Sequence, residues 1–431
     1  MKLHVLLEGR AIGTLEARGG RTRLSYAQDW LTAPAAYPLS HSLPLRSSPH
    51  SGHNVTTFLV GLLPDNVLTL AAWSRRFKVS AEDPAALLAH VGEDCAGAVQ
   101  FVREERLEEI LAEDALPPRV QWLTERDLAM RMRHLIREVG AGRENGEEGQ
   151  FSLSGSEAKT AFFYDADLKR WGIPSGHTPT THIFKPVSNG LDGFAENEHF
   201  CLCLARRIGL SSARSEWHFL RGIPTLVVER YDRVHIAGRW HRVHQEDACQ
   251  ALGIQSSLQD DHQKCPGFKD ITSLLSTSDE PFLDRERLMK SACFLYLLGA
   301  TEVHAQNFSL LYARGTNRFS MRLSPLRDVT SAWAYPRQIP PHTIQFAMNI
   351  GADSMLDQIT PMNFAQLAKE CGFQPDSMLG ILKDLAMRLP QEAEALSKEL
   401  EAPHMAAVVL KNLVEGIFQK CETTLKALSP F

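Results

Sequence analysis

Long apolar runs are missing from this chain of 431 residues. Nowhere do about 18 apolar residues follow one another, so no membrane span is expected. Cysteine is sparse and irregular: the eight, at 95, 201, 203, 249, 265, 293, 371 and 421, form no C-x-x-C and no ladder. A reduced, cytoplasmic protein is the simpler reading, with thiols such as Cys201 and Cys203 acting as small apolar side chains. Positive charge is not in excess either, since 46 Lys and Arg stand against 51 Asp and Glu. A protein that coats nucleic acid is therefore disfavoured, although a local basic face is compatible with these numbers. There is no internal repeat and no low-complexity tract. The opening MKLHVLLEGRAIG is too soon interrupted for a signal peptide and alternates like a first strand.

What is present is an ordinary globular composition, 44% hydrophobic and 23% charged, long enough for two or three domains. Leu3–Leu7 and Ala11–Leu15 read as strands around a Glu8-Gly9-Arg10 turn. A helical pattern in TTFLVGLLPDNVLTLAAWSRRF breaks at Pro64 and restarts after it. Residues 103–117 are charged and end at a Pro pair, which suggests a boundary. Further strands are predicted at Ala161–Tyr164, Thr181–Lys185 and Pro224–Glu229, with a helix over Asn197–Ile208 capped by Asn197. Beyond about residue 245 the pattern is mainly helical, with long amphipathic segments at 376–389 and 390–428. A mixed sheet followed by a helical half predicts an α+β, two-lobed chain.

Four segments carry candidate chemistry. In SLSGSEAK (152–159), Ser154, Gly155 and Ser156 let backbone N–H groups approach phosphate oxygens and Lys159 adds charge. The segment lacks the G-x-x-x-x-G-K-[ST] pattern, and a plain Ser/Gly turn is the alternative. Lys185 ends an otherwise apolar strand; in a kinase-like lobe such a lysine holds phosphates and a helix acid, here Glu198, locks it. In LVVERYDR (226–233) the backbone of Glu229 and Tyr231 suits an adenine edge, or else an ordinary strand leaves the core there. GATEVHAQNFSL (299–310) spaces Glu302, His304 and Asn307 as a base and a magnesium ligand are spaced in phosphoryl transfer. Asp328 follows, so that Asn307 and Asp328 flank a hairpin and can share one Mg²⁺.

Taken in order, these segments resemble the HipA family of bacterial serine/threonine kinases, toxins of HipBA-type toxin–antitoxin pairs. The resemblance runs almost end to end, through GLLPDN (61–66), GEDCAGAV (92–99), TPTTHIFKP (178–186), ENEHFCLCLARRIGL (196–210), VVERYDR (227–233), QEDACQALGI (245–254) and SPLRDVTSAW. It implies a two-lobed protein-kinase-like fold with an N-terminal HipA subdomain (1–105), a β-rich kinase N-lobe (106–235) and an all-helical C-lobe (236–431). ATP and Mg²⁺ are the implied cofactors. The phosphate loop would be Ser154, Gly155, Ser156, Glu157, Ala158 and Lys159, with Lys185 on the phosphates and Glu229, Arg230 and Tyr231 at the adenine. Glu302 matches the catalytic aspartate, His304 and Asn307 the nucleotide contacts, and Asn307 and Asp328 the metal ligands. Ser152 matches a serine whose autophosphorylation ejects the loop, and Ser154 makes a Ser-x-Ser pattern that offers a second such site.

The resemblance also implies partners: a helix-turn-helix antitoxin of HipB type, operator DNA reached through it, and an aminoacyl-tRNA synthetase, typically glutamyl, as substrate. Phosphorylation would stall translation and induce dormancy. Three departures stand out. The family's Asp-Gly-His-Ala-Lys-Asn is here Glu302-Val303-His304-Ala305-Gln306-Asn307, the aromatic before the metal aspartate is Arg327, and the loop carries Glu157-Ala158. A catalytically weakened pseudokinase that binds nucleotide and antitoxin is therefore the alternative function, and a small-molecule kinase a third.

Overall fold

A computed structural model describes the chain except residues 113–117, 139, 144–146, 148, 188–191, 256–264, 317, 402–403 and 430–431. It divides into two compact units, each discontinuous in sequence. The first comprises Met1–Ser188, Leu220–Ser257 and Leu310–Met321, and the second Asn189–Phe219, Leu258–Ser309 and Arg322–Phe431.

The first unit begins with the expected hairpin. Strands Lys2–Leu7 and Arg10–Arg18 pair antiparallel across Glu8 (φ 52°) and Gly9 (φ 74°). Two successive positive φ values give the turn a twist that matches the strands it joins. Strands Arg21–Tyr26 and His50–Ser51 extend this sheet on one side and Val99–Val102 on the other. Leu6 packs with Val102 and Ile110, the latter from the helix Glu104–Ala112. The helical pattern around Pro64 does split, into His53–Val60 and Val67–Phe77.

A second sheet in this unit runs Ile223–Glu229, His182–Pro186, Thr160–Asp165, Arg170–Ser175 and Arg119–Leu123. Only three of these five strands were legible in the pattern. The helix Glu125–Arg137 opens with a capping box between Thr124 and Asp127 and buries Leu128, Ala129 and Met132 against Phe162, Phe184 and Val227.

At the centre of the unit is an ionic cluster. Asp94 accepts from Arg233 Nη2 at 2.9 Å and lies 3.4 Å from Arg242 Nε and 3.6 Å from Arg230 Nη1. It also accepts from the amide and hydroxyl of Thr180 at 3.1 and 2.7 Å. Asp232 pairs with Arg230 at 2.8 Å and accepts the Gly97 N–H at 2.7 Å. Burial alone would raise the Asp94 carboxyl, but the three guanidiniums hold it well below the usual carboxylate range.

The second unit is mostly helical. Its helices are Phe194–Arg207, Phe268–Leu274, Pro281–Leu298, Pro361–Glu370, Pro375–Glu399 and Ala407–Leu428. Three expectations need correction. The first helix starts at Phe194, not Asn197, and Gly193 (φ 74°) takes the cap position. Asn197 is instead an interior residue whose amide exchanges two hydrogen bonds, each 2.9 Å, with the backbone of Ser331. Pro390 does not start a new helix but lies inside Pro375–Glu399. A proline there costs about 3 kcal/mol, yet Leu382, Leu385, Ala386, Leu389, Ala393 and Leu396 form one uninterrupted buried face, and that face outweighs the lost hydrogen bond. Finally, the C-terminal half is not all helix, because strands Ser309–Arg314, Phe319–Leu323, Gln345–Ile350 and Asp353–Met355 interrupt it. Among the described residues no helix is long and apolar enough to cross a membrane.

The ionic cluster yields the first prediction. Removing one partner of a buried ion pair costs about 3–5 kcal/mol, so Asp94→Asn should lower the urea unfolding midpoint by a corresponding amount. The depressed Asp94 contributes stability that is present above its unfolded pKa of about 3.9 and lost as pH falls below it. The variant should therefore show a flatter loss of stability in acid, and an unchanged midpoint would remove the cluster from its structural role.

Candidate active site

In the first unit, the segment 151–159 is held at both ends. Phe151 and Leu153 are buried against Ala161, with Ala96 and Ile183 beside them. Between them Ser152 is fully buried; its N–H donates to the Asp94 carbonyl at 2.9 Å and its hydroxyl to the Leu62 carbonyl at 2.6 Å. The turn that follows needs glycine, since Gly155 has φ 103° and an added Cβ would lie 2.5 Å from the Lys159 ammonium. Lys159 Nζ donates to the Ser154 carbonyl at 2.7 Å. Ser154 is half-buried and Ser156 exposed, while Ala158 is buried.

The turn is clamped by residues to which the sequence assigned no role. Asp65 accepts the Gly155 N–H at 2.9 Å and returns its own N–H to the Gly155 carbonyl at 3.3 Å. Asn66 caps the helix Val67–Phe77 with its Oδ1, accepting from Leu68 and Thr69, and donates from Nδ2 to the Ser156 carbonyl at 2.9 Å. The available signal was the Pro-Asp-Asn break itself, where a side-chain cap was due after the interrupted helix.

Lys185 is buried on the strand His182–Pro186, whose Phe184 pairs with Thr160 at the end of the turn segment. Within this unit its ammonium pairs with Glu157 at 3.2 Å. Two lysines thus reach the 154–157 turn, one through a carbonyl and one through a carboxylate. Glu229 ends the strand Ile223–Glu229, opposite His182. Arg230 has its N–H on the Thr181 carbonyl, its carbonyl on the Arg233 N–H at 3.1 Å and its guanidinium in the buried cluster, so its role here is structural. The Tyr231 hydroxyl donates to Gln245 at 2.8 Å.

In the second unit, helix Pro281–Leu298 stops at Gly299 (φ 63°), where the Trp333 ring lies so close that a Cβ would meet it at 2.7 Å. Glu302 then stands exposed and Val303 buried. A single 3-10 turn, Ala305–Asn307, follows, with the His304 N–H on Asn307 Oδ1 at 2.9 Å. The Ser324 N–H donates to the Ser309 carbonyl at 2.8 Å, so residues 307 and 328 flank the same open end of the hairpin. Asp328 is non-glycine at φ 53°, and its carboxylate lies within 4.8 Å of that of Glu198, itself buried. Arg327 pairs with the Asp328 carboxylate and donates from Nη2 to the Gln306 carbonyl at 2.5 Å. Asn197 and Ser331 anchor the chain just beyond, and the Ser331 hydroxyl donates to the Leu298 carbonyl at 2.5 Å.

The donors available here, an amide oxygen of Asn307 and the carboxylate of Asp328 with that of Glu198 nearby, are hard oxygens of the type Mg²⁺ prefers. An amide oxygen has two lone pairs, so the His304 N–H leaves one on Asn307 for a cation.

The family models match over most of the chain: the HipA N-terminal domain over residues 3–102 and the HipA-like C-terminal domain over 151–393. Y4mE of Sinorhizobium fredii, described as a candidate kinase, is 34% identical over 93% of this chain and 92% of its own length. The serine/threonine-protein kinase toxin HipA of Shewanella oneidensis is 26% identical over 91% of this chain and 88% of its own. The structure of the Shewanella oneidensis HipA, HipB and operator DNA complex holds a chain of similar fold, with TM-score 0.82 at 23% identity and coverage of 99% and 98%.

The Asp65 clamp predicts a mobility change. A backbone donor bonded to a carboxylate contributes about 1.5–3 kcal/mol, which is about ten- to a hundredfold in local opening. Asp65→Ala should therefore raise amide hydrogen exchange at Gly155 about tenfold or more while exchange in the core strand Thr160–Asp165 stays the same. Equal protection of Gly155 in both proteins would show that the clamp is held by other contacts.

Proposed function

This chain belongs to the HipA family, and on that premise we propose that it is an ATP-dependent serine/threonine protein kinase, the toxin of a toxin–antitoxin pair. Its substrates would be a translation enzyme of the aminoacyl-tRNA synthetase class and itself, and its partner a small helix-turn-helix antitoxin of HipB type through which it reaches operator DNA. A cytoplasmic location fits both partners. The observation that carries the reading is the 154–157 turn: a glycine at positive φ with two lysine ammoniums, Lys159 and Lys185, held onto it is built for anionic oxygens.

Roles follow from the side chains. Lys185 holds phosphate oxygens once they replace the Glu157 carboxylate on its ammonium, and the backbone at Glu229 and Tyr231 faces the base. Glu302, exposed to solvent, accepts the proton of the attacking serine hydroxyl as its oxygen bonds the γ-phosphorus and the bond to the β-phosphate oxygen breaks, releasing ADP. Mg²⁺, held by Asn307 and Asp328, would neutralise charge on the phosphates. Ser152 is the self-inhibitory site on this reading. Its hydroxyl lies on a carbonyl and is fully buried, so the loop must leave for Ser152 to be phosphorylated, and a phosphate dianion there has no way back. Ser154, half-buried on the turn, accepts a phosphate without that displacement.

A pseudokinase is the second reading, favoured by one contact: the proposed metal carboxylate, Asp328, already carries the Arg327 guanidinium. Phosphate transfer separates the two. A positioned base contributes about 10²–10⁴ in rate, and an ångström of displacement costs about 10². With Mg-ATP, the purified chain should place phosphate on Ser152, detectable by mass spectrometry. Glu302→Gln should lower the rate about a hundredfold, Glu302→Asp should raise it about tenfold, and Asp328→Ala should abolish it. Silence in the native chain with clear signal from Glu302→Asp would establish the pseudokinase instead.

A further inference from the structure

Two carboxylates of the second unit, Glu198 and Asp328, lie within 4.8 Å of each other, and the first is buried. Like charges at that distance repel, so both remain ionised only with a cation beside them. Arg327 supplies one: its guanidinium contacts the Asp328 carboxylate, and its other terminal nitrogen is fixed on the Gln306 carbonyl at 2.5 Å. The arginine therefore bridges the Asp328 side chain and the peptide that precedes Asn307.

The backbone around it is tethered on both sides. Leu326 exchanges hydrogen bonds of 2.9 and 2.8 Å with Ser211 and Ala213, and Ser331 is held by Asn197. Asp328 itself sits at φ 53°, a conformation that non-glycine residues adopt only when surroundings enforce it. With the main chain fixed, only the side chains are left to rearrange when a divalent ion arrives.

We propose that Arg327 is a built-in counter-ion of Asp328, which preorganises that carboxylate in the metal-free chain and competes with the divalent cation for it. The inference rests on the reading of Asp328 as a metal ligand. It makes metal affinity, rather than nucleotide affinity, the quantity that this position sets.

The test titrates the full chain with Mn²⁺, reading free ion by electron paramagnetic resonance, with and without a non-hydrolysable ATP analogue. Arg327→Gln and Arg327→Met both remove the charge, so either suffices if the other fails to fold. Each should bind Mn²⁺ about three- to fivefold more tightly than the native chain, the upper part of the range expected for losing a partly exposed ion pair. Each should also melt at a lower temperature in EDTA, with Mn²⁺ restoring the difference. Arg327→Lys should stay within about twofold of native affinity. Charge-removing variants that bind Mn²⁺ no better than the native chain, while Asp328→Ala loses binding, would overturn the counter-ion role and leave the metal reading intact. Native binding by Asp328→Ala would instead overturn the metal reading itself.

Discussion

One buried carboxylate organises the first unit. Asp94 neutralises parts of three guanidiniums, from Arg230, Arg233 and Arg242, and Asp232 shares the load. Burying that many charges is expensive, and such clusters seldom raise stability above what an apolar core would give. Their geometry is unforgiving, however: an ion pair made in one arrangement is lost in others. Here that arrangement joins residues 92–99, the end of strand Ile223–Glu229 and the start of the 151–159 segment, since the Asp94 carbonyl also takes the Ser152 N–H. The first hundred residues are thus part of what positions the candidate phosphate loop, even though a separate family model describes them.

The loop is restrained along its whole length. Its early residues are sunk in the core, its turn is clamped by Asp65 and Asn66, and its acid Glu157 lies on Lys185. Every one of these contacts can be broken individually at modest cost, whereas a phosphate on Ser152 would break the deepest of them irreversibly.

How much of this was legible depended on range. The first hairpin and the helix break at Pro64 are local, and their signals lie within four residues of the structure they produce. The ends of helices were harder: Asn197 has the chemistry of a cap, and nothing nearby in sequence reveals that its amide is spent on Ser331, 134 residues on. Pro390 misled for the related reason that a local penalty was overruled by a long buried face. For the candidate site, the turn glycine, Lys185, Asn307 and Asp328 stand out in the sequence by residue type and order. Asp65 and the buried role of Arg230 do not, because each acts on a segment about 90 and 135 residues away.

The departures from the family pattern look different once Arg327 is located. Taken singly, glutamine at 306 removes a positive charge and arginine at 327 replaces an aromatic ring, and each reads as damage. In the fold the guanidinium of one lies on the carbonyl of the other, so the pair keeps one cation at the same loop while moving it from the backbone position before Asn307 to the one before Asp328. Arg327 thus ties the Gln306 peptide to the Asp328 carboxylate, so the two departures are coupled and neither acts alone. Glu302 lies in the same loop and carries a carboxylate, one methylene longer than aspartate, exposed to solvent. Two positions joined by one guanidinium have to be substituted together before the effect of either can be assigned.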